Sequence, residues 1–477
     1  MSSPVTDLER AIAAFRREQG LNYLRVLGGQ ALDPRFAYAA RASWTSERGL
    51  ELLDGAKGEL SANAYAAACA HLARAVFEQR YQRARREALG LVARQVSVEG
   101  ETRSLESLTR EWSATRSASE RERRIAAITP ALEQFAGEQL EARAHADAAL
   151  AELFTKLQPP RHPDAGPASG ASTLAESWLA QTHELTREAI AHARIPSGPT
   201  GFEVLWHALG QEMHGLFARE GRLRRLALEW EPLGLRRLLS ARARAAVAHP
   251  GPLVGAQLVV LSAPDDLRVA QSEYEYGLAS ELALVETIGR AVAYVHASPA
   301  LPLSLRFATV GTVARSLGSL AVQRYTDPRF LRRARGLSQR ESEQVARRAA
   351  LWFLLDSRLT AAAQLTRGLP VPAAGSSGLD AFAAPVERAL QGSVPRGPAA
   401  ALVLRASPGG ALRGKLHGPA LAWTMRERFD EDWDLNPRAA EPLRGALARA
   451  GELSIEAWAE ELGTNVERGV EKLAELF

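Results

Sequence analysis

Apolar residues recur at spacings of three and four through most of the chain, as in Val345, Ala349, Trp352, Leu355 and Leu359. That spacing puts them on one face of a helix, so a mainly α-helical protein is expected. Period-two alternation is the exception. It marks Gly255 to Ala263 (GAQLVVLSA), Ala400 to Ser407 (AALVLRAS) and a short hairpin in VSVEGETRS, where Val96 and Val98 alternate ahead of Glu99-Gly100. These segments are expected to form small sheets on a helical body.

The clearest interruption is QPPRHPDAGPASGAS, Gln158 to Ser172, whose Pro, Gly and Ser content does not propagate a helix. Thr173 and Glu176 then have capping-box spacing for a helix carrying Trp178 and Leu185. The pattern divides the chain into an N-terminal helical lobe over 1–157, a linker over 158–172 and a helical domain over 173–477, the two lobes forming one structural unit. A second loose stretch begins at RGLPVPAAGSSGLD and returns at QGSVPRGPA. No repeat with the period of a solenoid is visible.

With 477 residues, 46% hydrophobic and 24% charged, the chain can bury a sizeable core. No apolar run is long enough to span a bilayer, and the N-terminal MSSPVTDLERAIAAFRREQG has early acidic residues and no apolar core, so a soluble, cytoplasmic protein without a membrane partner is expected. The single cysteine, Cys69, sits among alanines and reads as a small buried thiol. Lysine occurs only at Lys57, Lys156, Lys415 and Lys472, so the net charge of +4 rests on arginine. Arg-rich pieces such as RYQRARREALG and REGRLRRLALEW carry interleaved glutamates and no nucleic-acid-binding signature; they are read as solvated helix faces, with no nucleic acid as partner.

Candidate chemistry concentrates between Leu284 and Pro302, LVETIGRAVAYVHASPALP. A zinc peptidase of the His-Glu-x-x-His type needs two imidazoles at i and i+4, because about 100° per residue brings those positions onto one helical face. The segment ETIGRAVAYVHASPALPLSLRF is similar to the zinc helix of the thimet-oligopeptidase and oligoendopeptidase family of zinc metallopeptidases, particularly its compact bacterial members, which reads like HExGHAxHYAHxxPxLPFEFR. GTVARSLGSL resembles the family's next helix, ARRAALWFLLDSRL a later one, and MRERFDEDWDLNPRAAEPLRGALARAGELSIEAWAEELG its C-terminal helices; LERAIAAFRREQGLNYLRVLGG and EGETRSLESLTREWSATRSASERERR fit more loosely. The likeness covers essentially the whole chain and is strongest after Val247. It implies a multi-helical, two-lobed metallopeptidase-like fold enclosing a peptide-sized channel, with small β elements.

The same register implies that the site has been emptied of its chemistry. Glu286 stands where the first histidine would be, Thr287 at the general base, Arg290 at the second histidine, and Arg315, preceded by Ala314, at the glutamate ligand. The family's late tyrosine, an oxyanion donor, aligns with Ala411 in ALRGK. Arginine stays protonated and cannot ligate, so no zinc and no other cofactor is expected. Glu286, Arg290 and Arg315 are expected to fill the former metal position as an Arg-Glu-Arg cluster, Arg290 and Arg315 being the candidate contacts for an anionic ligand. The resulting reading is a pseudopeptidase that binds peptide or serves as a regulatory or structural subunit beside an active metallopeptidase homologue. Two alternatives stay open: a hydrolase with relocated chemistry, and a scaffold whose channel has collapsed. For a relocated metal, His207 and His214 share a face but are seven residues apart, too far to chelate one ion, while His249 and His296 are isolated. GSSG, Gly375 to Gly378, lies in a loop-like stretch with no nucleophile elbow, and no phosphate loop or dinucleotide fingerprint is present.

Overall fold

The structure is a computed structural model that describes residues 3–27, 47–73, 75–76, 95–98, 100–157, 168–195, 200–217, 221–236, 239, 242–248, 256–272, 277–308, 312–367, 377–404, 411–449 and 451–475. Helices dominate it. The ones that matter here are α1 (Pro4–Leu27), α2 (Ala118–Leu157), α3 (Gly277–His296), α4 (Thr312–Gln323), α5 (Gln339–Arg367), α6 (Arg396–Leu404) and α7 (Ala411–Phe429). A helix that is apolar on every side must be interior. Helix α3 comes close to that: Leu282, Tyr294, Leu284 and Val285, spread around its circumference, are all buried.

Two pairs of small residues let the central helices touch backbone to backbone. A Cβ on Gly289 of α3 would lie 2.5 Å from the Leu317 carbonyl oxygen of α4, and one on Gly318 would lie 2.8 Å from the Glu286 carbonyl oxygen. Helix α4 meets α7 in the same manner, where a Cβ on Gly418 would lie 2.1 Å from the Ser319 hydroxyl oxygen. Ser319 donates to the Lys415 carbonyl oxygen at 2.6 Å, which fixes the register of α4 on α7.

A three-stranded sheet runs in the order β3 (Ala243–Ala248), β5 (Asp266–Ser272), β4 (Ala256–Ser262), with β3 parallel and β4 antiparallel to β5. Helices α1 and α3 pack on β4. The hairpin β1 (Gln95–Val98) and β2 (Glu101–Ser104) forms at the expected place, Val98 opposite Glu101, with Gly100 at φ 84° in the turn. Gly255 to Ala263 likewise contains β4 as expected.

The described part of Ala400 to Ser407 is helical, not a strand. Residues 396–404 form α6, and 405–407 lie outside the described residues. The apolar run fits either period, and packing decides: Gly397 lets α6 approach the Glu133 backbone of α2, Arg396 pairs with Glu133 at 2.9 Å, and Ala399, Ala400 and Val403 are buried. The expected cap at Thr173 is also displaced. A helix already runs from Ala168 to Gln181, so Thr173 and Glu176 are inside it, and Glu176 pairs with Arg388 at 2.7 Å. Leu185 belongs to the following helix, His183–His192.

Buried Arg358 on α5 closes that junction. Its guanidinium donates to the Leu179 carbonyl at 3.0 Å, the Thr182 hydroxyl at 2.5 Å and the Ala389 and Arg388 carbonyls. Helix C-termini leave their last carbonyls without intrahelical donors, and here one planar cation serves two such ends. Cys69 is buried, as expected for a structural thiol. Among the described residues, no helix is long and apolar enough to cross a membrane.

Candidate functional site

Glu286 and Arg290 stand one turn apart on the side of α3 that meets α4, directly over Gly318: a Cβ there would lie 2.9 Å from the Cγ of each. Arg315, one turn earlier on α4, donates from Nη1 to Glu286 Oε1 at 3.4 Å. The other oxygen is taken by a residue the motif comparison did not single out. Lys415 Nζ of α7 donates to Glu286 Oε2 at 3.3 Å and also to Asp356 Oδ2 of α5. The side chains of Lys415, Arg315 and Glu286 are 7%, 12% and 18% exposed, so the pairs act in a medium where Coulomb attraction is strong.

The cluster is therefore Arg315–Glu286–Lys415–Asp356, not the expected Arg-Glu-Arg. Among the described residues, no carboxylate lies within ion-pair distance of Arg290. Burial opposes ionisation of Glu286, but Lys415, Arg315 and Arg290 outweigh it and pull its carboxyl down to about 2. Burial and then the like charge of Arg290 lower the Arg315 guanidinium to about 10. For Lys415, burial is outweighed by Asp356 and Glu286, and its pKa rises.

Thr287 turns away from this cluster. Its hydroxyl donates to the Ala256 carbonyl of β4 at 3.1 Å, and to the Ala283 carbonyl at 2.8 Å, tying α3 to the sheet. Ala411 is buried at the start of α7, and Lys415, one turn on in the same ALRGK stretch, is what reaches the cluster.

A second buried charge network lies toward the other end of α3. Glu281 is fully buried and faces Arg222 Nε at 3.1 Å, Arg225 Nη2 at 3.4 Å, Arg335 Nη2 at 3.1 Å and the Tyr325 hydroxyl at 3.2 Å. Arg335 also meets Glu229 at 2.5 Å, and Arg324 meets Asp434 at 3.1 Å. This corrects the reading of REGRLRRLALEW as a solvated face, since Arg222 and Arg225 turn inward. The available signal was a glutamate inside the apolar stretch Leu278 to Leu284, which required buried cations nearby. RYQRARREALG and His249 lie outside the described residues.

Among the described residues, the remaining histidines do not converge. Left-handed Gly210 ends the helix carrying His207, so His214 sits in a separate 3-10 turn rather than on the same face. His207 packs edge-on against Trp206, and His296 ends α3 with its pKa lowered by burial. His417 on α7, which sequence reasoning did not single out, is buried with Nδ1 3.1 Å from the Ser316 hydroxyl, and burial lowers it to about 4. Among the described residues, no three His, Cys, Asp or Glu side chains form a group able to hold a metal.

Neither a family model nor a curated protein matches the chain. Solved structures do. The M32 carboxypeptidase of Deinococcus radiodurans R1 matches with a TM-score of 0.55 and 16% identity, over 100% of this chain and 99% of that one. A carboxypeptidase of Pyrococcus furiosus gives 0.52 and 12%, over 100% and 99%. PZ peptidase A gives 0.60 and 12%, over 91% and 81%. At such identities the likeness establishes the fold, which is mainly α and metallopeptidase-like. It also broadens the expectation from sequence, because carboxypeptidases match over the full length and the thimet-oligopeptidase and oligoendopeptidase family is not singled out.

Proposed function

We propose that the protein is a non-catalytic member of the metallopeptidase-like fold, a pseudopeptidase that binds peptide or acts as a subunit beside an active peptidase. Fold alone does not carry an activity; the site does. The observation that carries the reading is the occupancy of Glu286, whose Oε1 and Oε2 accept from Arg315 and Lys415 respectively. A zinc ion needs lone pairs from several deprotonated donors. At the positions that the sequence register assigns to ligands and base, this chain offers one carboxylate engaged by two cations, a threonine satisfied by main-chain carbonyls, and two guanidinium groups. That donor set does not suit zinc. The like charge of Arg290 and Lys415 would also repel a divalent ion.

The register is tested by rebuilding the site. Glu286→His, Thr287→Glu, Arg290→His and Arg315→Glu restore the implied donors. Lys415 would remain beside them, so zinc affinity is expected to rise substantially only when Lys415→Gln is added. If the five-fold variant, shown by circular dichroism to be folded, takes up no more zinc than the native chain, these positions are not a lost metal site. The subunit role is checked separately, by whether the tagged protein co-purifies with an intact His-Glu-x-x-His peptidase from its source cells.

A further inference from the structure

The charge count of the Glu286 cluster does not close. The charged groups acting most strongly on Glu286, Arg315 and Lys415 form one set: Glu286, Asp356, Arg290, Arg315 and Lys415. Among the described residues, three cations against two carboxylates leave one positive charge over, and the contacts place it on Arg290. Lys415 engages both Glu286 and Asp356, and Arg315 engages Glu286, while Arg290 has no carboxylate within ion-pair distance among the described residues. Arg290 is also partly open to solvent. Its stem lies against Gly318, so α4 steers the guanidinium that would otherwise sweep through many rotamers.

We propose that Arg290 is the receptor for one free carboxylate, bound over the Glu286 ion pairs. This rests on the non-catalytic reading, because a metal ion would claim the same space. Charge selects the ligand class: one carboxylate neutralises the set, whereas a dianionic phosphate would leave an excess negative charge beside Glu286 and Asp356. Geometry agrees with charge. A guanidinium presents two parallel N–H donors to a planar carboxylate, and a pair in a partly desolvated place is stronger than the same pair in bulk water. A bound carboxylate would also relieve the like-charge pressure of Arg290 on Arg315. The carboxylate can come from a peptide C-terminus or from a small organic acid.

The test titrates the full-length chain by calorimetry with N-acetyl-dialanine as free acid and as C-terminal amide, with acetate and with inorganic phosphate. The free acid is expected to bind at least about tenfold more tightly than the amide, and acetate more tightly than phosphate. Arg290→Gln should bring acid and amide to within about twofold, and Arg290→Lys, which keeps the charge but loses the fork, should fall between. Unfolding temperatures of both variants report whether the fold is kept; should Arg290→Gln fail to fold, the Arg290→Lys comparison decides. A peptide acid about tenfold tighter than acetate identifies the C-terminal source, and equal affinity identifies the small acid; both support the proposal. No acid binding up to about 10 mM, equal affinity of acid and amide, or a preference that survives in Arg290→Gln overturns it. Zinc measured on the same sample separates the two failures: stoichiometric zinc defeats the non-catalytic reading itself, while zinc-free protein without acid preference defeats only the role of Arg290.

Discussion

Gly289 of α3 and Gly318 of α4 face one another across a close helix contact at the site, each where a Cβ would come within 3 Å of the other helix's backbone. Replacing glycine by alanine inside a helix ordinarily gains about 1 kcal/mol. Here the added methyl meets carbonyl oxygens that cannot swing aside, and overpacking of this kind costs about 1–3 kcal/mol. Gly289→Ala is therefore expected to lower the urea midpoint despite its better propensity. A midpoint at or above that of the native chain would show that the two helices separate at little cost.

The buried carboxylate makes stability depend on pH in a defined window. Glu286 has its folded pKa depressed to about 2, below an unfolded value of about 4.3, so its contribution is present in full above about pH 4.3 and is lost as pH falls toward about 2. Glu286→Gln should be less stable at pH 7 by about 3 kcal/mol, since it leaves Arg315 and Lys415 without their shared partner. The difference from the native chain should shrink as pH falls through the window. Equal loss at every pH would contradict the ion-pair account.

His417 sets a second and higher window. Its folded pKa of about 4 lies below the unfolded value of about 6.5, so the unfolded chain takes up a proton first and stability declines as pH falls from about 6.5 to about 4. Replacing it with a side chain that does not titrate, as in His417→Gln, should flatten that part of the unfolding profile and leave the lower window in place. Thermal melts at half-unit pH steps distinguish the two.

Arg358 holds two helix ends through four acceptors without a carboxylate partner among the described residues. Removing it orphans carbonyls at two helix ends, at about 1–3 kcal/mol for each that is buried. Arg358→Met should cost more than about 3 kcal/mol. Arg358→Lys should recover little of this, because an ammonium lacks the planar spread of donors. Full recovery by lysine would mean that charge rather than the fork is what the site needs.

These residues also show how far the sequence could be read. The period of three and four in α5 made the helical body legible, and alternation located β1, β2 and β4. The resemblance of GTVARSLGSL to the family's next helix, not local spacing, set Arg315 opposite Glu286, and the two do pair. Lys415 and Asp356 were beyond reach because they come from α7 and α5, and pairing between distant helices leaves no local spacing. The same holds for Glu281 with Arg222, Arg225 and Arg335. AALVLRAS was misread because a short apolar run satisfies both periods, and only the contact with α2 decides between them. Arg290 was assigned a partner on spacing alone, whereas Lys415 had already taken the second oxygen of Glu286.

The central claim is that the charged residues at Glu286 replace a metal rather than surround one. Elemental analysis of the untagged, purified protein by mass spectrometry, with a cleavage assay on a mixed peptide library, tests it most directly. The account predicts far less than one zinc per chain and no cleavage above background. Stoichiometric zinc with cleavage would contradict it.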